Sequence, residues 1–266
     1  MGVAMKVLFF VLAFLSPFIT QQSANAAVKT QIVEYRHEDT ILEGYLAYDD
    51  TLKEKAPAVL IVHEWTGPGP YVKRRAEQIA GLGYVAFAID MYGKGVRPAN
   101  REDAAKQAAI YRQDRQLMRS RALAGLEEAK KFPFVDTERI AVIGYCFGGG
   151  VALEMARSEE GLKGAVSFHG NLDTPHPDET QNINAGVLVL HGADDPHITQ
   201  EQIVAFEDEM RRAKADWEMN IYGNAVHSFT NPESGDDPSK GSAYNREADA
   251  RSWEAMETFL KRIFYK

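Results

Sequence analysis

The apolar run Ile140-Ala141-Val142-Ile143 leads straight into Gly144-Tyr145-Cys146-Phe147-Gly148-Gly149, and this junction restricts the fold more than any other segment. A buried strand must stop, the chain must reverse tightly through small residues, and a helix must start at once. Glycines on both sides suit a strained turn whose backbone approaches a neighbouring strand and helix. Cys146 is the only cysteine, and the junction sets its sulfur at a helix N-terminus, where local amides favour negative charge. A lone buried cysteine is more often core filler. Strand, glycines and helix in register favour a reactive thiol instead.

The rest of the chain repeats the alternation of strand and helix. Gln31 to His37 and Thr40 to Tyr48 read as a hairpin at a sheet edge. Pro57 introduces Ala58-Val59-Leu60-Ile61-Val62-His63, a continuous apolar run suited to a strand covered on both faces. Pro70 to Leu82 has helical spacing and stops at Gly83, and Val85 to Asp90 is a second buried strand. Helical sequence runs from Arg101 to Lys131 with a break near its middle. After the junction come a helix from Gly148 to Arg157, strands over Gly164 to His169 and Gly186 to His191, and a helix from Thr199 to Lys214. A strand over Trp217 to Tyr222, a polar loop over Thr230 to Tyr244 and a helix from Asn245 to Phe264 complete the order. Such alternation predicts an α/β fold with a mostly parallel, doubly wound sheet flanked by helices. Ligands of these folds gather at the carboxyl ends of the strands.

The N-terminus reads differently. Lys6 precedes an apolar run from Val7 to Ile19 and a small-residue site at Ala24-Asn25-Ala26. That pattern predicts a secretory signal peptide over residues 1–26, cleaved before Ala27, and a single domain over residues 27–266. The run is short for a membrane span, so no stable membrane insertion is expected once it is removed. Export would leave the protein periplasmic or extracellular, an oxidising setting in which one cysteine can form no internal disulfide. A net charge of −8 without a basic stripe argues against nucleic acid as a partner.

A thiol nucleophile needs a base, and the base needs an orienting group. With a nucleophile on a strand–turn–helix junction, the acid and then the histidine follow it in the chain. Of seven histidines, His227 stands just past the strand ending at Tyr222, which makes it the candidate base. The acid should follow the strand that ends at His191, where the chain reads Gly192-Ala193-Asp194-Asp195-Pro196-His197. Either aspartate fits; Asp195 is preferred because Asp194 can instead pin the turn, and Asp173 is a weaker contender. Two backbone N–H groups should face a developing oxyanion: Phe147, next to the nucleophile, and Trp65, in the loop after the early central strand. Glu64 then falls near the thiol. No zinc spacing links His and Cys residues, so neither metal nor organic cofactor is expected.

His63-Glu64-Trp65-Thr66-Gly67, Asp90-Met91-Tyr92, the glycine-flanked Cys146, Gly192-Ala193-Asp194-Asp195 and His227-Ser228-Phe229 together resemble the dienelactone hydrolase family of α/β-hydrolases. The resemblance covers nearly the whole chain after residue 26. It implies an α/β-hydrolase fold, with Cys146 as nucleophile, His227 as base and Asp195 as orienting acid. It also implies that Glu64 holds the resting thiol and helps to generate thiolate when substrate arrives. Family members acting on dienelactone bind the substrate carboxylate through two arginines; the matching positions here are Lys94 and Asn231. One cation survives without its planar fork and the other is lost, which points toward a neutral ester or lactone. Tyr92 and Phe229 are candidates for the substrate pocket, and the polar loop after His227 for a lid.

The expected chemistry is hydrolysis of a small carboxylic ester or lactone through an acyl-thioester on Cys146. A thioesterase or peptidase could use the same three residues, and a non-catalytic thiol-bearing binding protein could keep the scaffold. Loss of turnover in Cys146→Ala and His227→Ala separates the first reading from the last.

Overall fold

The computed structural model describes residues 1–2, 27–158, 161–176 and 183–265, so the expected signal segment lies almost entirely outside the described residues. Among the described residues, eight strands form one sheet in the order β1-β2-β4-β3-β5-β6-β7-β8. The hairpin of β1 (Val28–His37) and β2 (Thr40–Asp49) pairs antiparallel in full register from Val28↔Asp49 to His37↔Thr40. From β4 (Val85–Ile89) through β3 (Ala56–Val62), β5 (Val135–Tyr145), β6 (Gly164–Phe168), β7 (Gly186–Gly192) and β8 (Trp217–Tyr222), every neighbour is parallel. This is the mostly parallel sheet that the alternation predicts, in the α/β-hydrolase fold that the resemblance implies.

Continuous apolar strands must be covered on both faces, and alternate residues choose the cover. In β3, Ala58, Leu60 and Val62 join a core with Met118, Ala122 and Leu126 of α3 (Arg115–Lys130) and Val151 and Met155 of α4 (Phe147–Arg157). Val59 and Ile61 point the other way, into a core with Val72, Ala76 and Ile79 of α1 (Pro70–Gly81) and Met256, Phe259 and Leu260 of α6 (Arg246–Tyr265).

The break expected within residues 101–131 falls at Asp114. Its carboxylate accepts the Leu117 N–H and caps α3, ending α2 (Arg101–Gln113). Strand β5 begins earlier than its apolar run, because Ala56 and Pro57 pair with Val135 and Asp136 before the register shifts at Ala58. Helix α5 (Gln200–Ala213) opens with a capping box between Thr199 and Gln202. Among the described residues, no helix is long and apolar enough to cross a membrane.

Candidate active site

Three loops at the carboxyl ends of β5, β7 and β8 bring Cys146, Asp195 and His227 together. Cys146 stands between β5 and α4 with φ 54° and ψ −115°, a left-handed backbone that a β-carbon disfavours. Close packing holds it there. A β-carbon on Gly148 would lie 2.3 Å from the Val62 carbonyl oxygen, and one on Gly144 would lie 1.8 Å from that of Gly148. Only glycine lets α4 start this near the ends of β3 and β5. The strain is therefore opposed by packing from two strands.

His227 Nε2 lies 3.0 Å from Cys146 Sγ, and His227 Nδ1 lies 2.7 Å from Asp195 Oδ2. The other oxygen, Asp195 Oδ1, accepts the His197 N–H at 2.9 Å. Thus Asp195 is the carboxylate that meets the imidazole; Asp194 is exposed, and its N–H donates to the Ala225 carbonyl. Asp173 pairs with Arg115 instead. Burial alone would lower the affinity of His227 for a proton. The sulfur beside it and the Asp195 carboxylate outweigh that, so the imidazole is held well above its usual value. Asp195 is held below the usual carboxylate range: burial works against this, and the bond to His227 overcomes it. A sulfur, an imidazole and a carboxylate in this order can carry a proton away from the sulfur and return it.

The loop after β3 supplies the opposite wall. His63 Nδ1–H donates to the Glu64 carbonyl at 2.6 Å, and that oxygen also accepts the Gly67 N–H at 3.1 Å, closing a tight turn over residues 64–67. The Tyr92 hydroxyl donates to the Trp65 carbonyl at 2.9 Å. Neither the Trp65 N–H nor the Phe147 N–H, at the first position of α4, has an acceptor among the described residues. Two such donors are what an oxyanion requires. Glu64 is buried, which raises its carboxyl above the usual range, while a 2.7 Å bond from Asn231 Nδ2 pulls the other way.

The expected pocket residues have these surroundings. Lys94 pairs with Glu34 on β1 and turns to the hairpin, so its ammonium serves the sheet edge. Asn231 is buried and spends its amide on Glu64 and on the Glu233 N–H. Phe229 is wholly buried behind His227, packed against His169 and Tyr222. Tyr92 is buried too, with its hydroxyl committed to the Trp65 loop and its ring beside Phe147. The polar loop after His227 is pinned rather than free: Ala243 N–H donates to the His227 carbonyl, Asn245 N–H to that of Phe229, and Glu233 pairs with Arg74.

Two arginines near the mouth escaped the sequence reading, and His197 entered it only as a neighbour of Asp195. The Arg101 guanidinium lies 5.6 Å from the Trp65 ring, the Arg112 guanidinium 5.9 Å from the Phe147 ring, and the His197 ring meets His227 edge-on at 4.9 Å. Neither arginine has a carboxylate partner among the described residues. Their separation of eleven residues, about three helical turns, puts them on one face of α2. That spacing was the available signal; which residues the face meets was not in it. Among the described residues no cluster of His, Cys, Asp and Glu could hold a metal ion.

The sequence profile of the dienelactone hydrolase family matches residues 42–264. The chain belongs to the dienelactone hydrolase family. It is, as a member, an ester or lactone hydrolase. It is 37% identical to a dienelactone hydrolase-like promiscuous phosphotriesterase from metagenomic libraries, with a TM-score of 0.85 over 90% of this chain and 99% of that one. A putative carboxymethylenebutenolidase of Aquifex aeolicus is 25% identical over 87% of this chain and 97% of its own length. A putative dienelactone hydrolase from Klebsiella pneumoniae, 22% identical, shares the fold with a TM-score of 0.76 over 88% of this chain and 98% of that one.

Proposed function

We propose that the protein is an exported hydrolase of small carboxylic esters or lactones that works through Cys146, His227, Asp195 and an acyl-thioester. The observation that carries this reading is the aligned contact of sulfur, imidazole and carboxylate, at 3.0 and 2.7 Å. Proton transfer from Cys146 to His227 Nε2 leaves a thiolate, which attacks the carbonyl carbon. A C–S bond forms, and the carbonyl electron pair moves to an oxygen held by the Trp65 and Phe147 N–H groups. Collapse breaks the ester C–O bond, and His227 protonates the departing alkoxide. Water then attacks the thioester while its proton passes to His227 Nε2; collapse releases the acid and returns the thiolate.

The charges on the site support the second half. Once the sulfur is acylated it no longer carries the negative charge that raises His227. The imidazole then loses its proton more readily and becomes the free base that water activation requires. Asp195 keeps it oriented throughout.

Arg101 and Arg112 give the mouth positive charge, so a substrate carrying an anionic group away from the scissile carbonyl is favoured over a neutral one. The name of the metagenomic relative puts a neutral phosphotriester on the same test panel. Residues 1–26 act as the secretory signal, and residues 27–266 form the single hydrolase domain.

The decisive experiment measures turnover of p-nitrophenyl esters and lactones by the wild type, Cys146→Ala and His227→Ala, with mass spectrometry of the quenched wild type. Loss of turnover in both variants and an acyl adduct on Cys146 are expected. Turnover that persists in Cys146→Ala would overturn the reading. For export, the intact mass of protein recovered outside the cytoplasm should begin at Ala27; a chain retaining residues 1–26 would refute it.

A further inference from the structure

We propose that His169 is a positioning residue for the Cys146–His227 pair, tying the backbone of the nucleophile to the loop that carries the base. The inference rests on the reading of Cys146 and His227 given above. His169 follows β6, is wholly buried, and adopts φ 40°, a conformation that residues with a β-carbon seldom take. Cys146 N–H is shared between the Phe168 carbonyl, at 3.0 Å, and His169 Nδ1, at 3.1 Å. An Nδ1 that accepts carries no proton, so the ring is neutral and its hydrogen is on Nε2. That Nε2–H donates to Thr230 Oγ1 at 2.7 Å. Thr230 lies three residues beyond His227 on the same loop. A single flat ring therefore spans nucleophile and base.

The far end of this connection is anchored. The hydroxyls of Thr230 and Tyr71 share a 2.6 Å hydrogen bond, and Arg75 Nε donates to the Tyr71 hydroxyl at 3.2 Å. Arg75 also donates to the Thr230 carbonyl at 2.9 Å and pairs with Asp249 of α6. Every donor and acceptor along this path except half-buried Asp249 lies inside the protein, where leaving one unmet is costly. Other buried histidines do different things: His63 braces the 64–67 turn, and His191 Nδ1 has no partner among the described residues.

Neutrality matters as well as shape. The His169 ring meets the His227 ring edge-on at 5.2 Å, so a positive charge on it would oppose the imidazolium that balances the thiolate. Burial first, then His227 itself, with Arg75 and His191 further off, hold His169 well below the usual histidine range. Protonation would also abolish the acceptor that Cys146 N–H uses. The ring thus fixes distance while adding no charge.

Three variants divide the connection. His169→Phe removes both bonds. His169→Asn keeps an acceptor near Nδ1 and tolerates the left-handed backbone, but cannot reach Thr230. Thr230→Val leaves the ring and removes its partner. Each is measured for kcat and KM on a p-nitrophenyl ester and for the pH dependence of Cys146 alkylation by iodoacetamide, with near-ultraviolet circular dichroism as the check on folding. A misplacement of about 1 Å can cost roughly 100-fold in rate. We expect kcat to fall about 100-fold in His169→Phe and about 10-fold in the other two. KM should change less than about threefold, and alkylation at pH 6 should slow about 10-fold. His169→Asn combined with Thr230→Val should cost no more than Thr230→Val alone, because the valine already removes the bond that the asparagine cannot make. If His169→Phe does not fold, the other two variants decide. Folded variants with wild-type kcat and an unmoved alkylation profile would overturn the proposal while leaving the nucleophile and base intact. Persistent turnover in Cys146→Ala and His227→Ala would instead remove the reading on which it rests.

Discussion

The β1–β2 hairpin and the carboxyl end of the central strands are built on opposite rules. The hairpin pairs residues close in sequence, exposes Val28, Ile32 and Ile41, and answers charge with charge at its surface, as Lys94 does with Glu34. At the site, Cys146 and His227 meet across 81 positions, Glu64 and Asn231 across 167, and Cys146, His169 and Ser228 hold left-handed backbones. The edge of this sheet tolerates local variation because water satisfies whatever the protein does not. The site tolerates little, since burial removes that alternative.

The widest separation should come from chemistry. Cys146→Ala and His227→Ala are expected to lower kcat/KM by at least about 10³-fold, whereas Lys94→Ala should change it less than about twofold. Initial rates on one ester test both; a large loss from Lys94→Ala would break the contrast. Packing should separate the regions next. Gly148→Ala forces a β-carbon against the Val62 carbonyl and should cost about 1–3 kcal/mol in thermal unfolding. Ile32→Thr on the hairpin should stay within about 0.5 kcal/mol.

A smaller effect is expected at the mouth. Arg112→Ala should raise KM for an ester carrying a distal carboxylate by about 3–10-fold, and leave the neutral homologue nearly unchanged. Equal changes for both esters would remove the anion preference.

The smallest effect concerns Glu64. Burial raises its carboxyl in the folded protein, so the folded state keeps this proton to higher pH than the unfolded chain does. The associated stability is complete below the unfolded value, about 4.3, and is lost as pH rises through the folded one. Glu64→Gln cannot ionise and still offers an oxygen to Asn231. Its melting temperature relative to wild type should therefore climb by about 2–4 °C between pH 4 and pH 8. Parallel melting curves across that range would contradict the assignment.

Local rules carried much of this molecule. Apolar runs, glycine stops and capping residues marked the strands and helices after residue 26, because strand and helix periods are written in neighbouring residues. The strand–turn–helix junction pointed to Cys146, and chain order then pointed to His227 and to the pair Asp194 and Asp195. What neighbouring residues could not express was direction. Only the folded chain turned Lys94 to Glu34, committed Asn231 to Glu64, sank Phe229 behind His227 and drew Arg101 and Arg112 over the mouth. The bond from Cys146 to His169, and from His169 to Thr230, likewise exists only because three strand ends converge. A side chain's partner is chosen by the geometry of distant backbone, and a one-dimensional pattern holds no record of that geometry.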